Sequence, residues 1–211
     1  MGRPNLLLLH GWAYDASVFS RLVPLLDDAF VVHAPDLAPL WEEREAALAR
    51  IITGAPGCWY GCGWSLGFLL MLELQQRGLL SRAAGLCALP RFTGPGGMDP
   101  ETIRAMREGL ATQPERILRK FGQWAAFPER QAALPPGGPA PWLADALTLL
   151  EKTTLTDTAA PLLLAGRDAV LPPAAATGTP HGPVTWLAEA GHLLPWTHPE
   201  ETAAWIRLQL L

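Results

Sequence analysis

The pentapeptide Gly63-Trp64-Ser65-Leu66-Gly67 carries the clearest chemical signal in this chain of 211 residues. An apolar run, Cys58–Gly61, precedes it and the apolar helical stretch Phe68–Gln76 follows, so the serine stands where a strand turns sharply into a helix. Glycines flanking such a turn let two backbones approach closely, and the hydroxyl is presented at the helix N-terminus. A serine hydroxyl alone is a poor nucleophile; it needs a base to take its proton and a third group to orient that base. Asp168 and His192 follow in that chain order, each just beyond a late apolar run, Pro161–Ala165 and Val184–Leu187. The three fit acyl transfer, with Ser65 as nucleophile, His192 as base and Asp168 as the group that orients the base. Taken singly, each has a plainer reading: a chance G-x-S-x-G, a turn or cap aspartate, a buried hydrogen-bonded histidine. Asp36, after the second apolar run, is the alternative acid, with a turn role as its other reading.

Such chemistry also needs donors for the charge that develops on the carbonyl oxygen. His10-Gly11-Trp12 ends the first apolar run, where a turn loosened by glycine can aim amides at that oxygen, and the Trp12 and Leu66 amides are the candidates. One such donor is worth about 3–4 kcal/mol in the transition state. Trp12 and Trp64, two of nine tryptophans, adjoin this machinery and are read as apolar walls of the pocket. His10 is read as support for its turn, His33 as packed in a strand, His181 as a loop residue and His198 as preceding a helix that starts at Pro199. No metal set is read among them, and the chemistry calls for no cofactor.

The elements that must position these groups follow from hydrophobic patterning. Short apolar runs at Asn5–Leu9, Phe30–Ala34, Cys58–Gly61, Ala84–Leu89, Pro161–Ala165 and Val184–Leu187 alternate with amphipathic stretches. That alternation predicts an α/β protein, a mostly parallel sheet with helices on both faces, whose reactive groups collect beyond the carboxyl ends of the strands. Residues 1–211 are read as one domain. From about 91 to 155 the alternation gives way to helical patterns, Ile103, Met106 and Leu110, then Ile117, Phe121 and Trp124, read as a helical lid inserted over the active end. Leu134–Pro141 (LPPGGPAP) reads as a loop.

Composition narrows the partners. A formal net charge of −4 argues against nucleic acid, which needs clustered cations. The segment from Arg91 to Arg130 nevertheless holds seven basic against five acidic side chains. Three cysteines, Cys58, Cys62 and Cys87, without a C-x-x-C pair suggest neither a disulfide framework nor a zinc site; they read as buried thiols in a reducing compartment. The only N-terminal apolar run, Leu6 to Leu9, is too short for a signal segment, and no run reaches the roughly 20 residues of a membrane span. A cytoplasmic protein without a membrane partner is the expectation.

Several of these residues resemble, in order, the pimeloyl-[acyl-carrier-protein] methyl ester esterases of biotin synthesis, a branch of the α/β-hydrolase superfamily. The resemblance runs through LLLLHGW, GWSLG, Leu89-Pro90-Arg91-Phe92 into PERILRKF, Asp168-Ala169-Val170-Leu171-Pro172, and Gly191-His192 with His198-Pro199-Glu200. It implies the α/β-hydrolase fold with a short helical lid, and a serine carboxylesterase that cleaves the methyl ester of pimeloyl carried on acyl-carrier protein. It also implies that Arg116 and Lys120, one helical turn apart, meet the acidic carrier, and that Phe121 lies near the acyl chain. Each has a plainer reading, a solvated face for the cations and lid packing for Phe121. The chain departs from the family at Phe68, where a further glycine is usual, and at Leu37-Ala38-Pro39-Leu40, where a Gly-rich loop is usual. The later part of the lid is shortened and a second set of lid arginines has no counterpart. A small-molecule esterase or lactonase of broad acyl specificity is therefore the alternative, and a non-catalytic binding module on the same fold a third.

Overall fold

Four consecutive leucines, Leu6 to Leu9, make up most of the first strand, β1 (Asn5–Leu9), and all are removed from solvent. A strand apolar on both faces needs cover on both, which places it inside a parallel sheet. The computed structural model, which describes residues 2–94, 97–129, 136–155, 159–178 and 182–211, contains that sheet. Its strands are β1, β2 (Val31–His33), β3 (Trp59–Trp64), β4 (Arg82–Leu86), β5 (Leu162–Ala165) and β6 (Val184–Leu187), in spatial order β2-β1-β3-β4-β5-β6. Every pairing among them is parallel, as the alternation of runs predicts.

The order reverses between β1 and β3. From β1 the chain moves outward to β2, then returns to β3 on the other side and continues away through β6. A crevice opens beyond the carboxyl ends of strands at such a switch point. The His10-Gly11-Trp12 turn and Ser65 flank it.

Two strands differ from their expected bounds. The run read as Cys58–Gly61 is a strand over Trp59–Trp64, because Gly61, Cys62 and Gly63 are paired on both sides, with Leu7 to Leu9 and with Ala83 to Gly85. Pairing on both edges overrides the low strand preference of glycine. The run read as Ala84–Leu89 is paired only over Arg82–Leu86, since Cys87 turns the backbone to a φ of 45°.

Helix α1 (Arg44–Gly54) joins β2 to β3, and α2 (Leu66–Gln76) leaves the end of β3. Phe68, the bulky departure noted above, is fully buried, and a Cβ on Gly85 of β4 would lie 2.9 Å from its ring. The missing side chain at 85 makes room for the added ring at 68, so volume is exchanged between helix and strand.

Between β4 and β5 the chain forms α3 (Pro100–Thr112), α4 (Pro114–Ala125) and α5 (Trp142–Lys152), within the segment read as an insertion. Asp99 caps α3, its side chain accepting from the Glu101 amide at 3.1 Å ahead of Pro100. Arg104 and Arg107 of α3 pair with Glu151 of α5 at 3.5 and 2.8 Å, so these two cations of the basic excess are neutralised locally. Residues 134 and 135 of the expected loop lie outside the described residues, as does His181; 136–140 carry no regular structure. The chain ends in α6 (Leu194–Thr197) and α7 (Pro199–Leu210), the latter beginning directly after His198.

Cys62 and Cys87 are buried, but Cys58 is exposed, which corrects the reading of all three as buried. It precedes β3 at the open amino edge of the sheet, beside Ser81 at 3.1 Å. His33 packs as expected, tilted on the Trp59 ring at 4.6 Å and hydrogen-bonded to Asn5. Among the described residues no helix is long and apolar enough to cross a membrane.

Candidate active site

Ser65 sits immediately after β3 and immediately before α2, with φ 53° and ψ −120°. For a residue with a side chain this is strained backbone, which persists only where its surroundings enforce it. The two neighbouring glycines are required by close approach. A Cβ on Gly63 would lie 2.3 Å from the Phe68 amide nitrogen, and one on Gly67 would lie 2.1 Å from the Leu9 carbonyl oxygen. The end of β1, the turn and the start of α2 therefore touch through bare backbone, and the serine is held at the crevice.

Asp168 follows β5 and His192 follows β6, each at a carboxyl end. Val170 and Leu171 donate their amides to Asp168 Oδ1 at 2.8 and 2.7 Å, and His192 Nδ1 donates to Oδ2 at 2.7 Å. Both side chains are buried, the imidazole completely. Because a carboxylate only accepts, the Nδ1 proton is fixed there and Nε2 is left as the basic nitrogen. Nε2 is buried and has no hydrogen-bond partner among the described residues. No hydroxyl, that of Ser65 included, donates to it among the described residues. Asp36, the alternative acid, is exposed and accepts from the Ala16 amide at 2.7 Å, a contact between distant segments rather than within its own turn.

The Gly11–Trp12 turn lies against the nucleophile candidate: a Cβ on Gly11 would stand 3.1 Å from Ser65 Cβ. Neither the Trp12 nor the Leu66 amide donates a backbone hydrogen bond among the described residues; Leu66 follows Ser65 in the chain and Trp12 follows Gly11. His10 supports this turn, its Nδ1 2.9 Å from the Gly11 carbonyl and its Nε2 accepting from the Leu37 amide at 2.9 Å. Burial holds it below the ordinary histidine value, against the opposing pull of that carbonyl and of Asp36 and Asp15.

Phe121 of α4 meets the Trp12 ring edge to face at 4.8 Å, and the Trp12 indole donates to the Leu143 carbonyl of α5 at 2.8 Å. Both helices thus rest on the turn beside Ser65. Tyr14, which the sequence reading missed, is buried between Trp64 at 5.1 Å and Phe121 at 6.3 Å, and burial pushes its phenol well up. Its position two residues after Trp12 in a tight turn was the available clue. Arg116 and Lys120 are exposed on α4, apart from this cluster; Arg116 donates to Gln113 at 2.9 Å and Lys120 lies 4.9 Å from the Trp124 ring.

Cys87, also missed, lies behind the pair. Its sulfur, an Asp168 oxygen and a His192 ring nitrogen are all within 4.8 Å of one another, the one group among the described residues whose donor atoms could together hold a metal ion. Asp168 is already engaged by three donors, and burial, then the Asp168 charge, pushes the thiol well up. A cavity of about 590 Å³ lined by Leu72, Gln75, Arg82, Ala160 and Gln209 lies at the opposite, amino end of the sheet, away from this chemistry.

The profile of the "Alpha/beta hydrolase family" matches residues 6–205. A pimeloyl-[acyl-carrier protein] methyl ester esterase of Methylococcus capsulatus is 31% identical over 132 residues, covering 56% of this chain and 51% of that protein. One from Stenotrophomonas maltophilia is 34% identical over 136 residues, covering 56% and 50%. The chain spans about half the length of the curated relatives it matches. A thermophilic esterase from Thermogutta terrifontis superposes with TM-score 0.76 at 23% identity, over 100% of this chain and 90% of that one. An enol-lactonase from Burkholderia xenovorans does so with TM-score 0.74 at 15% identity, over 100% and 92%. At such identities the two structures speak for the fold alone.

Proposed function

The chain belongs to the alpha/beta hydrolase family, and from that premise we propose that it is a serine carboxylesterase acting on the methyl ester of pimeloyl-[acyl-carrier protein]. The observation that carries the reaction type is the buried Asp168–His192 hydrogen bond of 2.7 Å, which leaves Nε2 bare on a ring 5.4 Å from that of Trp64, the residue before Ser65. In the reaction His192 Nε2 takes the Ser65 proton as Oγ attacks the ester carbonyl, and Asp168 stabilises the imidazolium. The Trp12 and Leu66 amides receive the oxyanion. As the tetrahedral species collapses, the imidazolium returns its proton to the departing alkoxide, methanol leaves, and the acyl group stays on Ser65. Water, deprotonated by the same nitrogen, then attacks the acyl-serine; the acid departs and Oγ regains its proton. No cofactor or metal enters these steps.

For the substrate, the support is the printed activity of the relatives together with two exposed cations on one face of α4, Arg116 and Lys120, able to meet an acidic carrier. In this reading α3 to α5 act as a lid on a single domain, Trp12, Trp64 and Phe121 wall the acyl site, and the enzyme works in the cytoplasm. The second reading, a small-molecule esterase or lactonase, is favoured by the local engagement of both cations, Arg116 on Gln113 just before α4 and Lys120 on Trp124 within it.

Mass spectrometry after fluorophosphonate treatment, beside Ser65→Ala, tests the nucleophile: one adduct on wild type and none on the variant is expected. No adduct on wild type would leave only a binding module. Assay on the carrier-bound methyl ester and on a free ester then separates the substrates. Neutralising Arg116 and Lys120 is expected to raise KM about tenfold for the carrier-bound ester only, an effect that fades with added salt. Turnover of free esters alone sinks the carrier reading.

A further inference from the structure

Three non-glycine residues among those described have positive φ: Ala13, Ser65 and Cys87. Ser65 and Cys87 occupy equivalent places on neighbouring strands, each following the last residue of its strand, β3 and β4. Strained backbone of this kind gathers where a side chain must be aimed. At Ser65 it aims a hydroxyl into the crevice. At Cys87 it aims a thiol at the back of the Asp168–His192 pair, with the Cys87 amide tied to the Leu163 carbonyl at 2.8 Å.

The thiol is fully buried, and burial first, then the Asp168 charge, keeps it protonated. A protonated thiol is a donor, and two acceptors are in reach. One is the Gly191 carbonyl at 3.8 Å, on the residue preceding His192; the other is the Asp168 carboxylate, whose hydrogen bond also helps to keep the thiol protonated. Either contact fixes the same thing, the placement of the imidazole against its acid.

We propose that Cys87 is a positioning residue, whose one thiol hydrogen is shared between the Gly191 carbonyl and the Asp168 carboxylate, steadying the Asp168–His192 pair from behind and giving the carboxylate a further donor. The proposal rests on the catalytic reading of Ser65, His192 and Asp168. Each donor to a carboxylate spreads its charge and so weakens the hold of the acid on an imidazolium. Without the thiol that hold tightens, the base keeps its proton to higher pH, and the acidic limb of the rate profile moves up. Among the described residues, Cys87 from the end of β4 is the titratable group grouped with the pair. Arg167 and Glu189, the charged neighbours beside Asp168 and His192, pair with each other at 3.6 Å with exposed side chains.

The test compares wild type, Cys87→Ala and Cys87→Ser on a free p-nitrophenyl ester, following kcat/KM from about pH 5 to 9 across the usual histidine range. Cys87→Ala is expected to raise the acidic midpoint by about half a pH unit, a loss of about threefold below the midpoint with little change at high pH. Cys87→Ser, which restores a donor at the same strained φ, is expected to return the midpoint towards wild type. Should Cys87→Ala fail to fold, Cys87→Gly removes the thiol at a backbone angle that glycine adopts freely. A midpoint that stays put while the rate falls equally at every pH overturns the proposal and leaves Cys87 as packing. Fluorophosphonate labelling of the wild type separates the two failures: a labelled enzyme with an unmoved midpoint refutes the role of Cys87 alone, whereas an unlabelled one removes the catalytic reading and this proposal together.

Discussion

Trp64 Nε1 donates to the carbonyl oxygen of His192 at 2.8 Å, joining the residue before the proposed nucleophile to the proposed base across 128 positions of chain. The two rings also lie 5.4 Å apart. A single side chain on β3 therefore fixes the loop that follows β6. Trp64→Phe keeps an aromatic ring but leaves the His192 carbonyl buried without its donor. A loss of about 1–3 kcal/mol in urea unfolding is expected. Because the base loop loosens, kcat should fall about tenfold with KM held, as befits a contact that serves positioning. Unchanged stability and kcat would show that the loop is held by its other contacts.

The close approach of backbones at the elbow predicts an asymmetry between glycines. Gly67→Ala forces a Cβ to within 2.1 Å of the Leu9 carbonyl oxygen, so β1 and α2 must separate. Destabilisation of about 3 kcal/mol or more is expected. Gly54→Ala is the control: its Cβ meets nothing within 4 Å, at the end of α1. There alanine should be neutral or stabilise by up to about 1 kcal/mol through helix preference. Thermal unfolding of the two variants side by side reads the difference.

Asp168→Asn tests the orientation of the base. The amide offers an NH2 as well as an oxygen, so it can hold His192 with the proton on Nε2, the nitrogen that must be bare. A fall in kcat of about 10⁴ is expected, with Tm little changed, and a parallel loss in the rate of fluorophosphonate labelling. Residual activity within tenfold of wild type would assign the orienting role elsewhere.

The places of Ser65, Asp168 and His192 at strand ends were legible in sequence because each of them follows a short apolar run in the order that acyl transfer needs. The six strands were legible for the same reason, though Gly61 and Gly63 concealed the last half of β3, where pairing on both edges decides the conformation. Cys87 was concealed differently. It lies within an apolar run that reads as continuous strand, and only packing reveals that the backbone turns there and that a thiol reaches Asp168 and His192. Tyr14 owes its role to Phe121, which lies over a hundred residues away in sequence and meets it only through α4. The exchange of volume between Phe68 and Gly85 is likewise a relation between two elements, invisible at either residue alone.

The turn beside Ser65 also makes stability depend on pH through His10. Its Nε2 accepts from the Leu37 amide and its Nδ1 faces the Gly11 carbonyl, so the folded state wants the neutral ring, and burial depresses its proton affinity further. In the unfolded chain the ring titrates near the ordinary value of 6.5. Above that value both states hold it neutral and contribute no dependence. Below it the unfolded chain binds a proton that the folded state refuses, so stability falls with pH, with a limiting slope of about 1.4 kcal/mol per pH unit. His33, also held low by desolvation, adds a contribution of the same sign. Urea unfolding at about pH 7.5 and 5.5, for wild type and for His10→Gln, isolates the contribution of His10. Glutamine can accept from Leu37 without titrating, so the variant should lose about 1 kcal/mol less than wild type over that interval. Equal losses in the two proteins would place the acid sensitivity elsewhere in the fold.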